Sequence, residues 1–452
     1  MQNRIIQFYT TPIIVLIVLI ITLLVGWSKT SNGQNVWDLK RCVSYAVDNN
    51  INLSLSNNDV NTQKINLLES KAQILPVLNM GTGLNFNFGR SIDPATDQIS
   101  FNQNMNNSYW IESSVNIFQG LIRYNTISYN NYLLAASEKE SDIVYNKLIF
   151  DIISSYNEVL YSQGLESVAR KQVDLSFAQY TKMLKMVEVG KESPITAQEL
   201  KSQWASDKLN LTQTQTQTQK ALLKLKQLLR LKASSEFSID SLNMNSLVMN
   251  HTPAIDSLFS MAINQMPDIK KEEFLLYAAK KDLAVAKGNI SPRLYLSGGF
   301  GSNYFDGDVT RFQGQLKNNQ NEYVNMGIVI PIFNKASTYS KIKRKKLAVK
   351  SQELQLELKR ELLYTEIWNS INDLLAAERE FDASTELFEF SNLSFANISK
   401  KLEKGLASPS DYELAKQRMV SAEAGLLKAR LIYVMRNQML EFYKTGNWDH
   451  IF

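Results

Sequence analysis

Cysteine is almost missing. Cys42 stands alone in 452 residues, which excludes an internal disulfide. Histidine is nearly as scarce. His251 and His450, with Cys42, cannot assemble a zinc site or a Cys/His or Ser/His/Asp nucleophile, so no catalytic, metal or cofactor residues are expected. A lone cysteine in a helical pattern reads as a small buried hydrophobe. Strong charge of either sign is also lacking. The formal net charge is +5 and falls to +3 when Arg4 and Lys29 are set aside with the leader, too mild for a nucleic-acid binder. Long apolar runs are absent after the first 33 residues. The one that exists, Pro12–Gly26, follows Arg4 and is short for a spanning helix of about 20 residues. Ser31 and Gly33 precede Gln34 as small residues precede a cleavage point, so 1–33 is expected to be a signal peptide, with a retained anchor as the alternative. Any further membrane contact must then come from strands or from surface.

What is present is a duplication. "VGKESPIT" at Val189–Thr196 and "KGLASPSD" at Lys404–Asp411 share a Gly-x-x-Ser-Pro spacing. Phe118 and Phe333 stand the same distance apart as Gly190 and Gly405, and around them Ala72–Gly89 corresponds to Lys287–Phe305 and Asn107–Ile127 to Asn321–Ile342. One long internal period implies two copies of one unit, 34–241 and 242–452. Each copy reads as an entry helix (Val36–Leu75; Ala254–Ile290) and two strands (77–90 and 108–119; 293–305 and 322–333) joined by a polar loop. A very long helical stretch follows (Leu121–Val189; Ala336–Lys404), then a return helix (Ile195–Leu231; Ser410–Thr445). Tyr145, Leu148, Ile149, Ile152, Ile153, Tyr156, Val159 and Leu160 keep the helical period. At 1.5 Å per residue the long stretch spans roughly 100 Å, as one coiled-coil rod or as two helices end to end.

The strand runs alternate. Leu78, Met80, Leu84 and Phe86 oppose Asn79, Gly81, Gly83 and Asn85, and Val324, Met326, Ile328, Ile330 and Ile332 oppose Asn325 and Gly327. Runs of about 10–12 residues, apolar on one side and Gly/Asn/Ser on the other, fit transmembrane strands between lipid and a wet lumen. An antiparallel sheet over a soluble core is the other reading. Tyr109, Trp110, Tyr304 and Tyr323 stand where aromatic girdles would form. Four strands cannot close a barrel, and lipid does not tolerate open sheet edges, so three chains would have to pool about twelve strands.

With Pro76 and Pro292 entering the first strand of each pair and Gly-turns joining the long helices, the chain resembles the TolC family of outer membrane factors over its whole mature length. The resemblance implies an α+β membrane protein. Each chain would give four transmembrane β-strands to a trimeric twelve-stranded β-barrel, continued by a periplasmic α-helical coiled-coil barrel. It implies a passive exit duct of a tripartite efflux pump or type I secretion system in the outer membrane. The partners would be a periplasmic adaptor and an inner-membrane transporter of the resistance-nodulation-division or ABC type. The family's adaptor-docking tips map to Val189, Gly190, Lys191, Ser193 and Pro194, and to Lys404, Gly405, Leu406, Ser408 and Pro409. Lys191 and Lys404 depart from the family's Val-Gly-Leu pattern. The family's acidic aperture maps to Asp411, with Glu413 close by and Thr196 at the matching first-half position. Asp411 is equally suited to a helix N-terminus. The competing class is a soluble periplasmic coiled-coil scaffold or adaptor without a pore.

Other signals carry less. The basic run Lys341–Lys346 follows the fourth strand, where it meets either lipid phosphates or plain solvent. "TQTQTQTQ" at Thr212–Gln219 reads as a polar helix face, and Gly298–Gly301 as part of a strand rather than a phosphate loop. The pairs Glu138/Glu140 and Glu378/Glu380 read as solvated surface.

Overall fold

Asn50 and Met266 each break an entry helix that the sequence suggested was continuous. Asn50 is extended (φ −75°, ψ 127°) and its side chain accepts from the Leu53 N–H at 3.1 Å, so it closes α1 (Leu39–Asn49) and caps α2 (Ile51–Ala72). Met266 (φ −61°, ψ 125°) precedes Pro267, which drives the preceding residue out of the helical region and itself starts a helix well. That separates α5 (Ile255–Gln265) from α6 (Pro267–Gly288). The computed structural model describes residues 36–92, 97, 99–100, 104–240, 253–306 and 310–448. The expected leader 1–33, His251, His450 and the boundary at 241/242 lie outside the described residues.

The remaining elements are β1 (Val36–Trp37), β2 (Val77–Asn87), β3 (Ser91–Ile92), β4 (Ile99–Ser100), β5 (Asn104–Gln119), α3 (Ile122–Glu188), α4 (Pro194–Leu228), β6 (Ser238–Ile239), β7 (Arg293–Phe305), α7 (Phe312–Asn318), β8 (Asn321–Val329), α8 (Ser337–Glu403) and α9 (Pro409–Thr445). Their lengths repeat: 11 residues in α1 and α5, 22 in α2 and α6, 67 in α3 and α8. Both long helices are unbroken, so each is a rod of roughly 100 Å. The Thr212–Gln219 tract lies inside α4, where Thr212, Thr214, Thr216 and Thr218 return their hydroxyls to backbone carbonyls one turn back.

Strands β2, β5, β7 and β8 form one antiparallel sheet in that order. The register pairs Met80 with Ile111, Ile111 with Phe300, and Leu296 with Met326, so one face is apolar. The other face carries Asn79, Gly81, Glu112, Ser114, Ser297, Gly299, Asn325 and Gly327. Adjacent residues take opposite faces. Tyr109 and Tyr304 therefore lie on the apolar side, touching Phe312 of α7 at 6.2 and 5.3 Å between ring centres. Trp110 and Tyr323 lie on the polar side, which removes them from the expected girdle. The ladder also revises the strand limits, and β2 stops at Asn87 instead of 90. β5 begins at Asn104, opposite Asn87, and β8 ends at Val329 instead of reaching 333, because Pro331 has no N–H to offer an edge strand. The polar loop of the second half contains α7, held by the Gln315 side chain, which donates to the Phe305 carbonyl and accepts from its N–H.

Two cores sit where the short helices meet the middle of the rods. In the first, Cys42, Val43 and Ala46 pack on Ile149, Ile152, Ile153, Tyr156 and Val159, with Leu225 and Leu229. The second joins Leu258, Ala262 and Ile269 to Leu363, Ile367, Ile371 and Leu440. Cys42 is fully buried, and burial, with Asp38 nearby, pushes its thiol up to about 12, so it is inert, as its pattern suggested. The parallel pair β1–β6 ties Val36 to Ser238, and the Tyr156 hydroxyl seals it by donating to the Asp240 carbonyl at 2.9 Å.

Candidate functional site

The two Gly-x-x-Ser-Pro turns close the far ends of the rods by the same device. Gly190 (φ +72°) follows α3, with its N–H on the Val187 carbonyl at 3.0 Å and the Lys191 N–H on the Met186 carbonyl at 2.9 Å. Gly405 (φ +71°) follows α8, with its N–H on Leu402 at 3.0 Å and the Leu406 N–H on Lys401 at 2.8 Å. This paired bonding satisfies the last carbonyls of each helix and demands a left-handed residue, which is why glycine recurs. Ser193 and Ser408 then cap the return helices, each with proline at the first helical position.

The caps differ. Ser193 accepts only from the Ile195 N–H, at 3.2 Å. Ser408 accepts from the Asp411 N–H at 3.1 Å while the Asp411 carboxylate accepts from the Ser408 hydroxyl at 2.7 Å and its N–H at 3.1 Å. Those two hydrogen bonds hold the Asp411 carboxyl below its ordinary value. The aspartate is thus both exposed and engaged in a capping box.

Within one chain the tips lie side by side. Lys182 of α3 pairs with Glu403 of α8 at 3.2 Å, and a small groove of about 100 Å³ runs between Met186, Thr196, Gly405 and Pro409. Thr196 lines this groove, whereas Asp411 and Glu413 do not. Val189, Ile195 and Leu406 stand out from the tips, 67%, 71% and 73% exposed. These large apolar side chains lie exposed beside Lys191 and Lys404.

A third feature escaped sequence reading. Lys416 of α9 is fully buried, and its Nζ lies 2.7 Å from Asp207 of α4 and 3.3 Å from Glu413. The pair joins the return helices of the two halves just above the tips. Tyr412 is buried beside it, its hydroxyl raised to about 12 by burial and by Glu413 and Asp207. Glu413, expected at an aperture, turns one oxygen toward Lys416, and its other oxygen is buried without a partner among the described residues.

The basic run lies on the first turns of α8. Lys345 pairs with Asp282, the Lys343 ammonium sits 4.6 Å from the Tyr339 ring centre, and Lys341, Arg344 and Lys346 are exposed. Of the acidic pairs, Glu140 joins Lys271 at 2.6 Å across α3 and α6. No described helix is long and apolar enough to cross a membrane.

Residues 258–443 match the model of a family described as outer membrane efflux protein. No curated protein matches the chain. Among solved structures, the fold is similar to that of the outer membrane protein VceC from Vibrio cholerae, with a TM-score of 0.76 and 14% identity over 91% of this chain and 97% of that one. It is similar to the Campylobacter jejuni CmeC outer membrane channel, with a TM-score of 0.78 and 16% identity over 91% and 86%. It is also similar to the Neisseria gonorrhoeae MtrE outer membrane channel, with a TM-score of 0.74 and 16% identity over 91% and 89%. The resemblance to outer membrane factors stated from the sequence is borne out, as is the α+β fold of sheet and long helical rods.

Proposed function

We propose, from the outer membrane efflux family match and the channel-protomer fold, that this protein is one third of a homotrimeric outer-membrane duct. The observation that carries the reading is a four-stranded sheet with both edges open and its apolar face exposed beyond the end that α7 covers. Met80 and Val324 on that face are 86% and 81% exposed, at opposite edges of the sheet. Such a face suits lipid, and such edges suit pairing β8 of one copy with β2 of the next. A soluble scaffold would leave that face in water.

The helical side supports the same assembly. Leu347, Leu354 and Leu358 form an exposed stripe along α8, at the spacing by which helices seat against one another. Three copies would continue the barrel as a tube. The duct performs no chemistry. Substrate is delivered by an inner-membrane transporter of the resistance-nodulation-division or ABC type, through a periplasmic adaptor docked on the tips at Val189–Lys191 and Lys404–Leu406. The Lys416–Asp207 pair acts as a latch that keeps the tip hairpins together, and Asp411 gives the periplasmic mouth a negative field.

Cross-linking in cells tests this reading. A photoreactive residue at Leu406 is expected to trap one adaptor, whose transporter then co-purifies. Trapping of neither, with export unaffected by deletion of the gene, contradicts the proposal.

A further inference from the structure

The polar face of the sheet holds two charged side chains, Glu112 and Arg293, and four aromatic rings, Trp110, Tyr295, Phe305 and Tyr323. Trp110, Tyr295 and Tyr323 each cover a glycine. A Cβ on Gly81 would lie 2.5 Å from Trp110, one on Gly299 2.7 Å from Tyr323, and one on Gly327 2.5 Å from Tyr295. The glycines therefore make room for rings that lie against the sheet.

Glu112 sits among them. It pairs in register with Asn79 and Gly299, and Gly299 pairs with Tyr323, whose ring reaches back over that glycine toward Glu112. Trp110 lies two residues along the same strand, on the same side. Glu112 is exposed and makes no hydrogen bond or ion pair among the described residues. Arg293 is six residues along β7 from Gly299, about 20 Å away at the rise of a strand. The carboxylate is thus unneutralised, midway up the sheet, between two rings with exposed edges or faces.

We propose that Glu112, Trp110 and Tyr323 form a subsite on the lumen wall for organic cations with an aromatic or flat body. The carboxylate supplies attraction for the cation, and ring faces favour positive charge and flat apolar surface over a hydrated inorganic ion. Anions gain nothing from either. The subsite rests on the conduit reading, because only a closed barrel turns this face toward a lumen, where three copies would form a ring.

The test is block of single channels by cations added to the strand side of the purified protein in planar bilayers. Tetraphenylphosphonium is expected to block at about tenfold lower concentration than tetramethylammonium. Glu112→Gln raises the blocking concentration of both cations by about 3- to 10-fold. Tyr323→Leu narrows the gap between them, and Arg293→Gln leaves both unchanged. Tyr323→Leu reports on the subsite even where Glu112→Gln fails to assemble. Channels blocked equally by the two cations, or indifferent to Glu112 and Tyr323, overturn the subsite and leave the conduit standing. Wild-type protein that forms no channel overturns both.

Discussion

At the scale of single residues, a few side chains near the tips hold the hairpins together. Lys416 is fully buried against Asp207, so removing it strips the counterion from a dehydrated carboxylate that keeps the Gln203 amide as a donor. Lys416→Met is expected to destabilise the tip hairpins by about 3–5 kcal/mol, read as lost hydrogen-exchange protection, and adding Asp207→Leu should restore much of it. Asp411 behaves differently because it is exposed. Its carboxyl titrates below the ordinary 3.8, so its contribution to the cap is present above that pH and lost as pH falls through the lowered value. Amide protection factors at 410–414, corrected for the intrinsic pH dependence of exchange, should therefore fall in acid, and Asp411→Asn should abolish that fall. The sequence disclosed the tips because glycine, serine and proline act locally, within five residues. It could not disclose Lys416–Asp207. The partners stand 209 residues apart, and each alone resembles an ordinary helix charge.

At the element scale, length and order were legible and breaks were not. The rods were expected at about their observed extents because a 3.6-residue period persists along them. The divisions at Asn50 and Met266 were hidden because apolar residues continue across both points, and only a cap or a following proline marks the stop. The strands were legible through alternation, but the placement of aromatic residues was misjudged. Tyr109 and Trp110 are neighbours in a strand and cannot share a face. Helix α7 went unseen, since seven polar-flanked residues carry no periodic signal. The rings over glycines give a test at this scale. Gly299→Val must displace Tyr323, and overpacking of this kind typically costs about 1–3 kcal/mol, so the heat resistance of the assembled sheet should fall. By contrast, Gly405 has open space around its Cβ position, so Gly405→Trp strains only the left-handed turn. That variant should assemble normally and lose export, which separates docking from folding.

At the scale of the whole molecule, one chain is incomplete by its own physics. A sheet with two open edges, a largely exposed apolar face and rods carrying unmatched leucines cannot be at rest alone in either water or lipid. The twofold repeat in sequence foretold this incompleteness, because doubling a two-stranded unit still leaves too few strands to close. The most direct measurement is the mass, by light scattering corrected for detergent, of the protein extracted from the outer-membrane fraction. A complex of three chains that resists dissociation by heat and detergent is expected. A monomer, recovered from the soluble periplasmic fraction, would contradict it.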